Sequence, residues 1–69
     1  MKTEEIYKAL REKGEALSTL REEIDFITQD DGLTDEEKAK ELDHRLRDAT
    51  GLIAVMRDQV YAIRKAARS

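Results

Sequence analysis

The sequence predicts an all-α protein, a long antiparallel hairpin of two helices in a single domain over residues 1–69. Apolar residues recur every three or four positions on both sides of one short break, which is typical of amphipathic helices. The break has the composition of a turn, and no proline interrupts either flanking segment. We therefore expect helix 1 over about 3–29, a turn over 30–34 and helix 2 over about 35–68.

The segment between the two helices also carries a start signal for helix 2. Residues 29–34 read QDDGLT, and Thr34 stands three positions before Glu37. This is the spacing of a capping box, in which the threonine hydroxyl and the glutamate carboxylate each accept a hydrogen bond from the other residue's amide. The three acidic residues after Thr34 also suit the positive end of a helix dipole. Helix 2 is therefore expected to begin next to Thr34.

An apolar stripe with a period of 3.5 residues runs along each predicted helix. In helix 1 it consists of Ile6, Leu10, Lys13, Leu17, Leu20, Ile24 and Ile27. In helix 2 it consists of Ala39, Leu42, Leu46, Ala49, Ile53, Met56, Val60, Ile63 and Ala67. This repeat predicts coiled-coil-like packing. Opposed pairs such as Ile24 with Leu42 share a residue-number sum of 66, so the two stripes face each other in a hairpin.

Composition excludes several classes of protein. The chain has 69 residues, 42% of them charged, and no cysteine, so disulfides, thiolate metal sites and cysteine nucleophiles are excluded. No apolar run approaches the roughly 18 residues of a membrane span, and the N-terminal residues lack the apolar core of a secretory signal. A soluble, cytoplasmic protein without membrane contact is expected.

A single two-helix hairpin has little core, and chains of this size often gain stability by oligomerisation. Further apolar residues lie off the two stripes, and they form our predicted partner-binding set: Phe26, Leu52, Val55 and Tyr61. These residues favour a homodimer that forms a four-helix bundle, or docking of another protein. The alternative is that they cover the seam or stand singly exposed.

Charge is unevenly distributed along the predicted hairpin. Residues 1–13 and 53–69, which meet at its open end, together carry a net charge of +4, whereas residues 14–52 carry −7. Two hairpins side by side would therefore attract in antiparallel order and repel in parallel order, within the limits of salt screening. The charge distribution favours an antiparallel dimer.

The positive open end is also a candidate site for a nucleotide or for nucleic-acid phosphates. Its cations and aromatic rings are of the types that contact phosphates and stack on bases. The members of this alternative phosphate-binding set are Tyr7, Arg11, Arg57, Arg64, Lys65 and Arg68. The opposing interpretation is a solvated helix end whose cations complement the helix dipole.

Other candidate sites are weaker. Glu41 and His44 have the Glu-x-x-His spacing of di-iron bundles, but both lie outside the apolar stripe, which favours a surface histidine. Gly14 and Gly51 fall in one layer of the predicted hairpin, where they indicate either a close approach of backbones or a tolerated kink. No catalytic residues, metal ligands or cofactor are predicted.

Parts of helix 1 resemble a known enzyme family. The segments ALREK at 9–13, AL at 16–17 and LREEID at 20–25 are similar to the first helix of the helical chorismate mutases. In that family an arginine of this helix binds a substrate carboxylate, a role that the resemblance implies for Arg11 or Arg21. The family's second-helix arginine and lysine, its third helix and its glutamine have no counterpart in this chain.

The sequence thus predicts a small non-enzymatic protein-interaction module, a regulator, inhibitor or assembly adaptor that acts through an apolar helical face. The first alternative is a phosphate binder at the basic open end. The second is an enzyme of the chorismate-mutase type.

Overall fold

The computed structural model describes residues 2–68, which form two packed α-helices, α1 over Lys2–Gln29 and α2 over Asp35–Arg68. The prediction of two helices packed against each other is confirmed. Helix α1 begins one residue before its expected start, and the molecule measures 54 × 15 × 10 Å. Met1 and Ser69, which belong to the predicted domain, lie outside the described residues. Within residues 2–68, neither helix is long and apolar enough to cross a membrane.

The turn is held by local hydrogen bonds. The Asp30 carboxylate accepts from the Gly32 amide at 2.8 Å, and a Cβ at Gly32 would lie only 3.2 Å from that oxygen. The predicted capping box is present: the Thr34 amide donates to Glu37 Oε1 at 2.9 Å, and the Glu37 amide donates to Thr34 Oγ1 at 3.2 Å. Two amides at the start of α2 are thereby satisfied, which fixes where the helix begins.

The apolar stripe of α1 lies where the sequence predicts it. Ile27, next to the turn, is 8% exposed and is the one buried side chain among residues 3–68. The other six members of the stripe are half-buried, including Lys13. Helix α1 therefore turns the expected face toward α2, but the contact leaves most of that face partly open to solvent.

Helix α2 is rotated about its axis relative to the prediction. The residues that are half-buried along it are Lys38, Leu42, Arg45, Ala49, Leu52, Met56, Gln59 and Ile63. The predicted stripe is therefore right at four positions and wrong at five, because these members are exposed: Ala39, Leu46, Ile53, Val60 and Ala67. A more polar row takes their place against α1.

Two polar contacts across the hairpin accompany this rotation. The Arg45 guanidinium donates from Nε to Glu23 Oε2 at 2.6 Å, and Lys38 Nζ donates to the main-chain oxygen of Thr28 at 3.3 Å. Both donors belong to the row that faces α1. A turn of α2 toward the predicted orientation would carry both side chains away from their acceptors and leave the contacts unmade.

The two interior glycines do not form a layer between the helices. Gly14 is half-buried and Gly51 is exposed, and a Cβ at either position would meet nothing within 4 Å. No close approach of backbones within this chain requires either glycine. The close approach of the two helix backbones that the sequence suggested at Gly14 and Gly51 is therefore not found between α1 and α2.

Candidate interaction site

An open apolar groove runs between the two helices on the side that the rotation of α2 exposes. Its volume is about 530 Å³. Its apolar lining comes from both helices: Leu10, Leu17, Ile53, Met56 and Val60. Arg57, Tyr61 and Arg64 complete the lining along one edge. A surface of this composition is suited to bury the apolar face of another helix.

A straight apolar row on α2 runs into the groove, and two of its three members, Ile53 and Val60, line it. Leu46, Ile53 and Val60 are 55%, 48% and 47% exposed, and each is seven residues from the next. Residues with this spacing lie on one line along a helix that packs in a coiled coil. We call these three residues the α2 row. Large aliphatic side chains in such an array are characteristic of a helix that faces a second neighbour.

The whole chain exposes more surface than its size requires. Its solvent-accessible area is 5806 Å², whereas a compact folded chain of this mass exposes about 4,400 Å². The excess arises because each helix contacts one neighbour only, and the molecule is long and thin. The hairpin therefore has a large area available for an additional contact.

The contact between α1 and α2 is also partly polar. Lys13, Lys38, Arg45 and Gln59 are half-buried along it. The side-chain oxygen Oε1 of Gln59 is buried without a hydrogen-bond partner among the described residues. An unpaired buried oxygen costs free energy, so this contact is weaker than one between two fully apolar faces.

The predicted partner-binding residues do not share one surface. Leu52 is half-buried in the row that faces α1, and Tyr61 lies on the edge of the groove, 68% exposed. Val55 is 44% exposed and does not line the groove. Phe26 is 80% exposed and sits near Glu22 in a separate depression on α1.

The five apolar groove residues were assigned from the sequence to the seam within the hairpin and were therefore missed as a surface, whereas Tyr61, Arg57 and Arg64 were predicted as surface site residues. The available signal was the width of the apolar face on α2, where two adjacent heptad rows are apolar. One helix neighbour covers only one of these rows and part of the other.

The basic residues of the open end fall into different local surfaces. Tyr61, Arg64, Lys65 and Arg68 line one depression of about 240 Å³ on α2. Tyr7 and Arg11 line another on α1, together with Glu4, Glu5 and Lys8. Arg57 lies on the edge of the apolar groove. Among the predicted phosphate-binding residues, those around the α2 depression form a group whose charged members are all positive.

His44 is placed on the outer surface of α2. Its Nε2 atom lies 4.0 Å from Asp48 Oδ2, and both side chains are exposed. The carboxylate of Glu41 is paired with Arg45 at 3.3 Å instead of approaching the imidazole. In the described part of the chain, no group of three or more histidine and carboxylate side chains is arranged to hold a metal ion.

No protein-family model matches this chain, and no curated protein or solved structure matches it. The resemblance of α1 to chorismate mutases therefore depends on the helix-1 segments alone.

Proposed function

We propose that this chain is a non-enzymatic protein-interaction module that binds an amphipathic helix in the groove between α1 and α2. The observation that carries this proposal is the exposure of Ile53 and Val60 beside half-buried Leu10 and Leu17 in one groove, with exposed Leu46 continuing their row along α2. Covering an apolar side chain of this size stabilises a complex by on the order of 1 kcal/mol or more.

A helical occupant suits the groove better than an extended peptide. The α2 row repeats every seven residues, which is the repeat of an apolar stripe on a partner helix in a coiled coil. An extended peptide gains most of its affinity by pairing with an exposed strand edge, and residues 2–68 contain no strand. The groove therefore offers side-chain contacts at the spacing a helix presents.

Site-specific photocrosslinking tests this function even while the partner's identity is open. A benzophenone amino acid replaces Ile53 in the groove or, as the matched control, Val55 two residues away outside it. In the cells that naturally make this protein, we expect protein adducts from position 53 and few from position 55. Absence of adducts at position 53, or equal yields at both positions, would overturn the proposed function.

A second function is supported by the cluster of Tyr61, Arg64 and Arg68 around one depression. Cations beside an aromatic ring suit a nucleotide phosphate and its base. Titration calorimetry with ATP is the test. Binding that weakens steeply with salt and with Arg64→Ala, but not with Arg47→Ala in the first half of α2, would support it. Heat changes insensitive to Arg64→Ala would count against it.

A further inference from the structure

We propose that the occupant of the groove is a second copy of this chain, bound in antiparallel order to give a four-helix bundle. This inference rests on the proposed function, because it names the partner of the same groove. In this arrangement a two-fold axis crosses the middle of the hairpin, α1 packs beside the partner's α1, and α2 packs beside the partner's α2. Each helix then has two neighbours.

The apolar residues of the groove are self-complementary about such an axis. Leu10, Leu17 and Ile24 are spaced symmetrically about Leu17, so an axis there places Leu17 beside the partner's Leu17. Residue 49 of α2 lies opposite residue 17 in the hairpin, at a residue-number sum of 66. An axis at this level brings Leu46 beside the partner's Ile53. One axis therefore pairs apolar residues on both helices.

A row of charged residues on α2 has its centre within one residue of this axis. Every seventh residue of α2 in this row is exposed: Glu36, Asp43, Thr50, Arg57 and Arg64. The row reads acid, acid, neutral, base, base. In antiparallel order about Thr50, Asp43 lies beside the partner's Arg57, and Glu36 lies beside the partner's Arg64. In parallel order each charge would lie beside its own copy.

The structure places the basic half of this row at the groove. Arg57 and Arg64 line its edge directly. Asp43 is exposed and already pairs with Arg47 of its own helix at 3.1 Å, and a carboxylate can accept from more than one donor. The basic half of the row therefore lies where a second hairpin would meet it, and the charges of the row match only an antiparallel copy.

Charge over the whole molecule favours the same order. The open end carries +4 and the central residues, which include the turn, carry −7. An antiparallel copy brings each positive open end beside the partner's negative turn. This attraction is screened over about 8–10 Å at physiological salt, so it guides orientation, while the apolar contact supplies most of the affinity.

The available area is sufficient for a stable dimer. Specific interfaces bury about 800 Å² on each partner. The chain exposes about 1,400 Å² more than a compact protein of its mass, and the groove lies along the axis of the molecule. A second hairpin could cover that area without any change in the fold described above.

Disulfide trapping tests both the occupant and its orientation, because the natural chain contains no cysteine. The purified full-length variants Leu46→Cys and Ile53→Cys are each oxidised alone and then as a mixture. We expect a mixed disulfide between the two variants and little linkage of either variant to itself, since like positions lie about 10 Å apart along the axis. Val55→Cys, outside the groove, is the control and is expected not to link.

Other linkage patterns would overturn the proposal. Self-linkage of Leu46→Cys and of Ile53→Cys, without a mixed product, would indicate parallel order. Equal linkage of Val55→Cys would indicate random collision. Light scattering on the unmodified chain provides the second measurement, and we expect a mass of twice 8.0 kDa at both low salt and 0.5 M salt.

Two matched substitutions to glutamate test whether the dimer forms through the groove. Ile53→Glu is expected to weaken self-association at least tenfold, whereas Val55→Glu leaves it within about twofold. A folded monomer in the unmodified chain would overturn the second-copy proposal. If position 53 still gave heterologous adducts in cells, the proposed function would stand with a different partner. If it gave none, both would fail.

Discussion

Arg45 of α2 donates to Glu23 of α1 across the hairpin, with 2.6 Å between Nε and Oε2. Arg45 lies in the row that faces α1, and its neighbour Leu46 is 55% exposed. The polar contact and the open apolar groove are therefore linked, because one orientation of α2 produces both. An apolar row is left exposed on the side of the hairpin that a further helix can approach.

The contribution of this pair can be measured by a double-mutant cycle with Glu23→Ala and Arg45→Ala. Both side chains are partly solvated, so we expect a coupling energy of about 0.2–1 kcal/mol in urea unfolding. Glu22→Ala, one residue away and exposed, is the control and is expected to show no coupling to Arg45. A coupling energy of zero would show that the contact adds nothing to the stability of the hairpin.

The capping box at the start of α2 predicts the effect of Thr34→Ala. Loss of the hydroxyl leaves the Glu37 amide without its acceptor, and we expect a loss of about 1 kcal/mol in the free energy of unfolding. Thr34→Ser, which keeps the oxygen, should retain most of the stability. Equal losses in the two variants would rule out the hydroxyl as the source of the effect.

The capping box also predicts that the stability of the fold depends on pH. Hydrogen bonds from the amide and hydroxyl of Thr34 lower the pKa of the Glu37 carboxyl below its ordinary value. A lowered pKa in the folded state means that this stabilisation is present above the unfolded pKa and is lost as pH falls through the folded pKa. An NMR titration should show the lowered pKa in the natural chain and a value nearer the ordinary one in Thr34→Ala. Because the Thr34 amide is the larger cause and remains in Thr34→Ala, part of the lowering should persist, and an unchanged pKa would exclude the hydroxyl as a contributor.

The glycines predict a stabilising substitution. Gly51 lies in the interior of α2, is exposed, and has no atom within 4 Å of a Cβ built upon it. Gly51→Ala is therefore expected to raise the free energy of unfolding by about 0.5–1 kcal/mol, since alanine restricts the unfolded chain and favours the helix. Thermal unfolding followed by circular dichroism measures it. A lower midpoint would reveal a contact at Gly51 that the single hairpin lacks.

The charged row beside the groove predicts a charge-reversal experiment. Arg57→Glu places acids beside the partner's Asp43 at two symmetric positions, and we expect dimer affinity to fall by about 2- to 30-fold at low salt, at about 0.2–1 kcal/mol for each exposed pair. Adding Asp43→Arg reverses both members and should restore much of the affinity. Sedimentation equilibrium measures both variants. Failure of the double variant to recover would argue against the proposed pairing.

The helices, the turn and the stripe of α1 follow directly from local chemistry. The Thr34–Glu37 spacing, the composition of the turn and the 3.5-residue period each depend on residues close together in sequence. Each of these signals depends on interactions within one helix or within the turn. They could therefore be interpreted without any tertiary contact.

The orientation of α2 could not be predicted in the same way. Leu42, Ala49 and Met56 face α1 whether the adjacent row is Leu46 and Ile53 or Arg45 and Leu52, so both rotations satisfy the period. Hydrophobicity alone favours the first. In the second, which the structure has, long cationic side chains reach acceptors on α1, and such a contact over 22 residues has no local sequence signal.

The position of the two cross-helix polar contacts also bears on the order of folding. Lys38 and Thr28 are ten residues apart in sequence, and Arg45 and Glu23 are 22 apart, so both contacts close short loops beside the turn. Contacts nearer the open end must close loops of more than about 50 residues, and the entropic cost rises with the logarithm of that length. We therefore expect the hairpin to form from the turn outward. Amide hydrogens should exchange fastest at the open end, where the chain opens first.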